Sequence, residues 1–437
     1  MVRRRGFALS MLLTALILLP VMAVAGPAAS GLAKGELARP YTLATLNDMT
    51  FNRIDPDTLV TMQSYVWMGG VNDFTPPEIY VSGDGSTIAI VRYRGRSNPG
   101  AVIHRKDVTI HLLDARNGAQ LTSFHPRVAM SIDGLSNDGK ELYGYGLQSS
   151  TQPQPWYAID AQTGRLKSRM LLANYNCCPF YDSAANRVYV LHTFPFDQKT
   201  HKPQAPVLSS YDQHGQLDRA VRLDGVMAGW GDSGRQENGN PVMEGWSPGL
   251  ALSPDGSQLA ILDGASNTLR IVDAHTMSLV RTETLSQPQS PLSHLADLLG
   301  ILPTTAEAKE IEGVDLSMNY SPDGRSLYVT GMRGSFDSSG KFGWHNLGLR
   351  RIDVQTGTVE ATAFQDQALW WSQLAPDGSA FYALTPAARD YQGNDACPCA
   401  LERLDPRTLA VTAKRMFDAD TSTGSPPQFY ILAAPLQ

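Results

Sequence analysis

The sequence predicts an all-β chain folded as a seven-bladed β-propeller of four-stranded antiparallel blades, and three observations lead there. Short runs that alternate apolar and polar residues recur from end to end, separated by Pro-Asp-Gly and Asp-x-x-Thr/Gly turns. The 38 glycines and 28 prolines are spread evenly, and long helical periodicity is almost missing. The two ends of the chain also read as complementary halves of one unit, so the repeats close on themselves.

The unit is clearest at 249–285, GLALSPDGSQLAILDGASNTLRIVDAHTMSLVRTETL, whose junctions carry Pro254-Asp255-Gly256, Asn267 and Asp273-Ala274-His275-Thr276. Such a sheet cannot bury both faces alone, and stacked copies supply each other's missing core. Its outer half, a strand ending in Asp followed by a short turn, recurs at Asp55, Asp114, Asp160, Asp212, Asp273, Asp353 and Asp405. Each Asp is expected to accept bonds from backbone N–H groups two or three residues on, a structural role rather than a ring of acidic ligands. The inner half, a hairpin closed by Asp-Gly, recurs at Asp84, Asp138, Asp255, Asp323 and Asp377, with a degenerate copy at 183–186. Six inner halves face seven outer ones. The chain therefore begins on the second strand of a blade, with Tyr41 aligned opposite Tyr382, and the missing first strand comes from QFYILAAPLQ at the C-terminus.

At the N-terminus, Arg3-Arg4-Arg5 precedes an apolar run and the small-residue site Ala23-Val24-Ala25, the pattern of a secretory signal peptide over 1–25. Residues 26–40 read as a linker and 41–437 as the propeller. Export places the protein in the periplasm, at the cell surface or outside, with membrane attachment only if the leader stays uncleaved; Arg4-Arg5-Gly6-Phe7 also resembles a twin-arginine core. The chain holds 36 basic and 42 acidic residues, a formal net charge of −6, and loss of three leader arginines makes it more acidic. No basic stripe is present to neutralise phosphates, which excludes nucleic acid as the main partner.

The runs SPDGSQLAILDGASNTLRIVDAHTMSLV and SPDGRSLYVTGM with LRRIDVQTGTVEAT resemble the YVTN-type repeats of secreted bacterial seven-bladed propellers, a pattern related to lactonase-like propellers and quinoprotein amine dehydrogenase heavy subunits. The resemblance covers residues 41–437 and implies the fold. Its matching positions are turn and strand residues, so it transfers no catalytic residue and no cofactor.

Four departures from the repeat map to one face, the top, where the loops joining second to third strands and blade to blade emerge. They are a basic loop at 94–107; a Gly-rich loop at 225–247 holding Trp230, Asp232 and Trp246; a helical insertion at 287–312 with a short helix at 292–302; and 333–346 with Trp344 and His345. Aligning the first strands on their turns brings Glu78, Asp133, Trp246, Asp315, Trp370, Trp371 and Tyr430 to the channel mouth as candidate ligand-binding residues. Two readings follow: the aromatics cap the core where strands converge, or they form an aromatic and acidic pocket for a small molecule, a glycan or a protein. The nine histidines are scattered, no HExxH pair occurs, and GxSxG, P-loop and Rossmann signatures are missing, so no metal or catalytic set is indicated. The favoured function is ligand or partner binding without catalysis. The alternative is a lactonase, lyase or quinoprotein-type dehydrogenase subunit using the same mouth, with Glu78, Asp133 and Asp315 as its acid/base or metal candidates.

The cysteines are Cys177, Cys178, Cys397 and Cys399. In an exported chain an even count points to disulfides. Bridges between the two pairs would tie the loop 386–400 over the mouth as a lid. The second pairing is local, Cys177–Cys178 beside Cys397–Cys399, and a four-thiolate metal site ranks third.

Overall fold

The computed structural model describes the chain between residues 41 and 433, apart from short breaks and the segments 67–77, 94–107, 147–154, 287–310 and 419–427. Among the described residues there is no helix, and so none long and apolar enough to cross a membrane. The leader and linker, the loop at 94–107, the short helix at 292–302 and the degenerate turn at 183–186 lie outside the described residues.

Seven sheets form, one per predicted blade. Blade 1 comprises Glu78–Val81, Thr87–Tyr93, Val108–Asp114 and Gln120–Phe124. Blade 2 comprises Met130–Leu135, Glu141–Gly146, Pro155–Asp160 and Leu166–Leu171. Blade 3 is built from Asn176–Asp182, Arg187–His192, Val207–Tyr211 and Leu217–Arg222, and blade 4 from Gly249–Leu252, Gln258–Asp263, Thr268–Asp273 and Ser278–Thr284. Blade 5 contains Ile311–Tyr320, Ser326–Phe336, Phe342–Asp353 and Val359–Ala363, and blade 6 Trp371–Leu374, Phe381–Arg389, Asp395–Leu404 and Val411–Phe417. Blade 7 joins both ends of the chain: Gln428–Ala433 is its innermost strand, followed by Tyr41–Leu46, Thr50–Ile54 and Thr61–Val66. The closing pair is antiparallel, with Leu43 opposite Ile431 and Leu46 opposite Gln428.

Side chains of each strand alternate between the two neighbouring blades, so the core divides into seams. There are seven among the described residues, one between each pair of adjacent blades. The seam between blades 6 and 7 buries Tyr41, Leu43, Tyr382, Leu401 and Phe429. The seam between blades 7 and 1 buries Ala44, Ile88, Ile90 and Leu113. A seventh blade therefore meets the first through a packed core, which closes the ring.

The turns repeat the same chemistry. In the outer hairpins the aspartate Oδ1 accepts the N–H three residues on, from Thr58, Thr163, Thr276, Thr356 and Thr408 at 2.7–2.8 Å, and the same threonine hydroxyls also donate to it. The Thr at that position is a signal that the Asp spacing alone leaves unread. In four inner hairpins a serine two residues before the Asp donates to it and accepts a backbone N–H at 2.9 Å: Ser82, Ser136, Ser253 and Ser321.

Two features differ from the expectation. Ala44, not Tyr41, occupies the repeat position of Tyr382, since they pair with Arg53 and Arg403, each two residues before its turn aspartate. The Tyr41–Tyr382 alignment is thus displaced by three residues; the second strand of blade 7 stops at Leu46, whereas that of blade 6 runs on to Arg389. Second, 225–247 is not a loop. It holds a β-hairpin, Gly229–Glu237 with Asn240–Ser247, whose outer edges add in parallel to Phe194–Pro195 and to the innermost strand of blade 5, with Trp246 opposite Val314 and Ser247 opposite Asp315. Likewise 333–346 lengthens two strands of blade 5 to Phe336 and Phe342, and the predicted insertion ends earlier, since residues 311 and 312 already belong to a strand.

Candidate functional site

Of the sequence-predicted mouth residues, Glu78, Asp133, Asp315, Trp371 and Tyr430 lie on first strands, Trp370 directly precedes one and Trp246 lies on the added hairpin, and they do not converge on one pocket. Glu78 sits at the junction of blades 1 and 2. Its Oε2 lies 2.9 Å from the Tyr80 hydroxyl, which is also 2.7 Å from the carbonyl of Ile132. The Tyr93 hydroxyl accepts the N–H of Ile132 at 2.8 Å, and burial, then the Glu78 charge, pushes it up to about 12. Carboxylate and phenols thus brace two blades together. The backbone of Asp133 forms a bulge, because the register slips between Ile132 and Gly134; its side chain lies outside the described residues.

Trp370 and Trp371 are half-buried and pack on the seam of blades 6 and 7, with the Trp371 and Phe429 rings 5.9 Å apart and Phe417 edge-on to Phe429 at 5.1 Å. Tyr430 packs against the seam of blades 7 and 1, where burial raises its hydroxyl far above the ordinary tyrosine range. Trp246 is 5% exposed and joins Phe196 and Val314 in a small core beneath the added hairpin, so its ring is turned away from solvent. Four of the seven candidates therefore fit the core-capping reading: Trp246, Trp370, Trp371 and Tyr430.

Asp315 differs from them. It is exposed on the innermost strand of blade 5 and lines a hollow of about 180 Å³ on the top face. Ser317, Thr330, Asn346 and Gln367 add hydroxyl and amide groups, while Leu316, Met332 and Leu369 supply the apolar part. The hollow exists because two glycines face each other across strands two and three: Gly331 lies opposite Gly348, next to a bulge at Gly331/Met332. Gly331 has φ +154°, and a Cβ there would stand 2.2 Å from the Asp315 carbonyl oxygen; Gly348 has φ +66°, with a Cβ 2.4 Å from the Ala363 oxygen. Only glycine fits either position. Asn346, Gln367 and the glycine pair escape a reading of the sequence, although glycine inside a strand is a sign of such a close approach.

A larger groove of about 630 Å³ opens on the lower face between blades 4 and 5, beside Gly324, Arg325, Asp353 and Gln355. These are repeat turn residues, and Arg281 there is committed to the carbonyls of Val354 and Gln355 at 2.6 and 3.2 Å. The top-face hollow departs from the repeat and is the better candidate. No cluster of His, Cys, Asp or Glu suited to a metal occurs among the described residues. Cys399 is fully buried, and none of the described cysteines is a free thiol. The side chains of Cys177, Cys178 and Cys397 lie outside the described residues.

Comparison by sequence finds no matching family model and no matching curated protein. By fold, the chain is similar to the periplasmic gluconolactonase PpgL of Pseudomonas aeruginosa, at 15% identity and a TM-score of 0.46, over 90% of this chain and 99% of that one. It is similar to hydrazine synthase of Kuenenia stuttgartiensis (13%, 0.44, 85% and 99%) and to the Cps50 (Swd1) β-propeller domain of Myceliophteria thermophila (11%, 0.41, 80% and 88%). Likeness at these identities is one of fold alone. The protein is a seven-bladed β-propeller.

Proposed function

We propose that this chain is an exported propeller that binds a small polar ligand, or the protruding end of a glycan or protein partner, at the top-face hollow on blade 5. The observation that carries this is the glycine-floored hollow beside Asp315. Its lining holds one carboxylate, no cationic side chain, and several hydroxyl and amide groups. Such a lining favours a ligand rich in hydrogen-bond donors, an amine or a polyol, over an anion. At about 180 Å³ the hollow is smaller than the several hundred Å³ typical of drug-sized ligands, which fits a single ring or side chain. The leader with its Ala23-Val24-Ala25 site supports export, and mature protein beginning at Gly26 is the expected product.

The test is a thermal-shift and calorimetric screen of the mature protein against monosaccharides, small amines and short peptides, repeated with Asp315→Asn and Asn346→Ala. A ligand whose affinity drops at least tenfold in both folded variants supports the site. Binding that is indifferent to both moves the site elsewhere, and turnover of a lactone by the wild type alone replaces binding with catalysis.

A further inference from the structure

We infer that the cysteines close two local disulfides, Cys397–Cys399 and Cys177–Cys178, each seated on a β-bulge, so that no bridge crosses the channel mouth. Cys399 is disulfide-bonded and 0% exposed. It lies on the third strand of blade 6, paired with Pro386 on one side and Phe417 on the other. Its buried neighbours, among them Leu43, Leu384, Leu401 and Phe429, all belong to blades 6 and 7. A disulfide needs Cβ atoms about 4 Å apart, so the partner must lie inside or beside this seam.

Cys177 does not. It is on the innermost strand of blade 3, opposite Leu191, which packs in the seam of blades 3 and 4. The channel and two strand spacings of about 4.8 Å each separate that strand from the third strand of blade 6. Cys397 remains, two residues from Cys399 on the same strand. In a regular strand, Cα atoms two residues apart are about 6.6 Å apart, near the upper limit for a disulfide. Here the strand is not regular: the register slips so that Cys397 and Pro398 together face the single residue Ala387. A bulge of this kind bends the strand and draws its flanking residues together.

The same slip occurs at the other pair. Cys177 pairs with Leu191 and Phe180 with Tyr189, so Cys178 and Pro179 face only Val190. Both bulges carry a Cys-Pro dipeptide, and a bulge is where a strand tolerates a proline that has no N–H to give. With Cys399 joined to Cys397, the two adjacent cysteines have only each other. Closing each bridge converts two thiols to one S–S bond and passes two electrons and two protons to a protein-disulfide oxidant of the export compartment. The bridges stiffen two places on the upper rim, one beside the Trp370–Trp371 wall, and leave the hollow at Asp315 uncovered.

Trypsin digestion of the mature full chain without reductant tests the assignment. Cys177 and Cys178 share the peptide 170–187, and Cys397 and Cys399 share 390–403. The expected result is two uncrosslinked peptides, each lighter by two hydrogens than its reduced form. A fragment joining the two peptides overturns the assignment in favour of a lid, and unmodified thiols in either peptide overturn it outright. The Cys397→Ser variant adds a second readout: alkylation after denaturation without reductant should label Cys399 and leave Cys177 and Cys178 unlabelled. Labelling of either residue in the 170–187 peptide sinks the proposal.

Discussion

The Tyr382 hydroxyl donates to the carbonyl of Pro56 at 2.9 Å, joining residues 326 positions apart across the seam that closes the ring. Because that proton is committed, the Tyr41 hydroxyl, 3.0 Å away, donates to Tyr382 in turn. The same tether recurs inside the chain: Tyr328 of blade 5 donates to the Pro406 carbonyl of blade 6 at 2.8 Å, and Tyr189 of blade 3 reaches Ala274 of blade 4 at 3.3 Å. In each case the acceptor is the residue after the turn aspartate of the next blade. The closing seam is thus built like the internal ones. Tyr382→Phe and Tyr328→Phe should each cost about 1–2 kcal/mol, since each leaves a carbonyl at a blade seam without its partner. Urea unfolding midpoints measure this, and a Tyr382→Phe loss much smaller than that of Tyr328→Phe would mean that the closing seam is not equivalent.

Removing residues 428–437 takes away the innermost strand of blade 7 and the rings of Phe429 and Tyr430 from two seams at once. It exposes the edge of Tyr41–Leu46 and leaves Trp371 without its aromatic neighbour. The truncated protein is expected to lose its single cooperative thermal transition and to self-associate, as seen by calorimetry and light scattering. A truncated monomer that melts like the full chain refutes the ring closure.

The fold was legible because its signals are local. Each Asp-x-x-Thr and Asp-Gly turn is written in four or five consecutive residues, and such turns mark most of the blades. The site was less legible because it depends on pairings between distant residues. Gly331 and Gly348 make a hollow only when their strands align, and Trp246 looked like a mouth residue until the hairpin added to blade 5 and turned its ring inward. Trp371 and Tyr430 were placed on the right strands, yet a strand position does not say which of two seams a side chain fills.

Ser253 holds its turn from both sides, donating to Asp255 at 2.6 Å and accepting the N–H of Gln258 at 2.9 Å. Ser253→Ala should lower stability by about 1–2 kcal/mol, because it removes two bonds and leaves a backbone N–H without that acceptor. Blade 6 has Ala375 at this position, with its backbone pair to Ala380 intact at 2.9 Å, so the fold itself survives the change. Ala375→Ser is the converse variant and should gain stability if the turn geometry is shared. Chemical denaturation of both variants checks the pair.

The turn aspartates make stability depend on acid. Asp273 and Asp405 are held below the usual carboxylate range chiefly by the backbone N–H groups of Thr276 and Thr408, and Asp160 and Asp255 chiefly by the Thr163 and Ser253 hydroxyls. Asp138 is lowered to about 2, first by its bond to Lys140. A folded value below the unfolded one means that the charged form is favoured by folding, so the contribution is complete above about pH 4 and is lost as pH falls toward about 2. Stability should decline steeply across that window. Asn at 160, 273 and 405 keeps an acceptor oxygen but does not titrate, so the triple variant should show a shallower decline; an unchanged slope removes these turns as the cause.

Gly331→Ala tests the hollow and the backbone beneath it together. The added methyl meets the Asp315 carbonyl oxygen at 2.2 Å and the Leu316 side chain at 2.9 Å, at a φ of +154° that L-residues rarely adopt. Backbone atoms cannot yield as a flexible side chain does, so the strand pair must separate. A loss of about 2–3 kcal/mol is expected, in the range of strained backbone positions and overpacked cores. Gly245, on the added hairpin, has open space for 4 Å around the point where a Cβ would stand and serves as the control, since Gly245→Ala should change stability little. If Gly331→Ala folds with reduced stability, it should also lose the ligand that Asp315→Asn weakens, because the hollow's floor has risen into it. Retained binding in a folded Gly331→Ala protein would place the ligand away from this hollow.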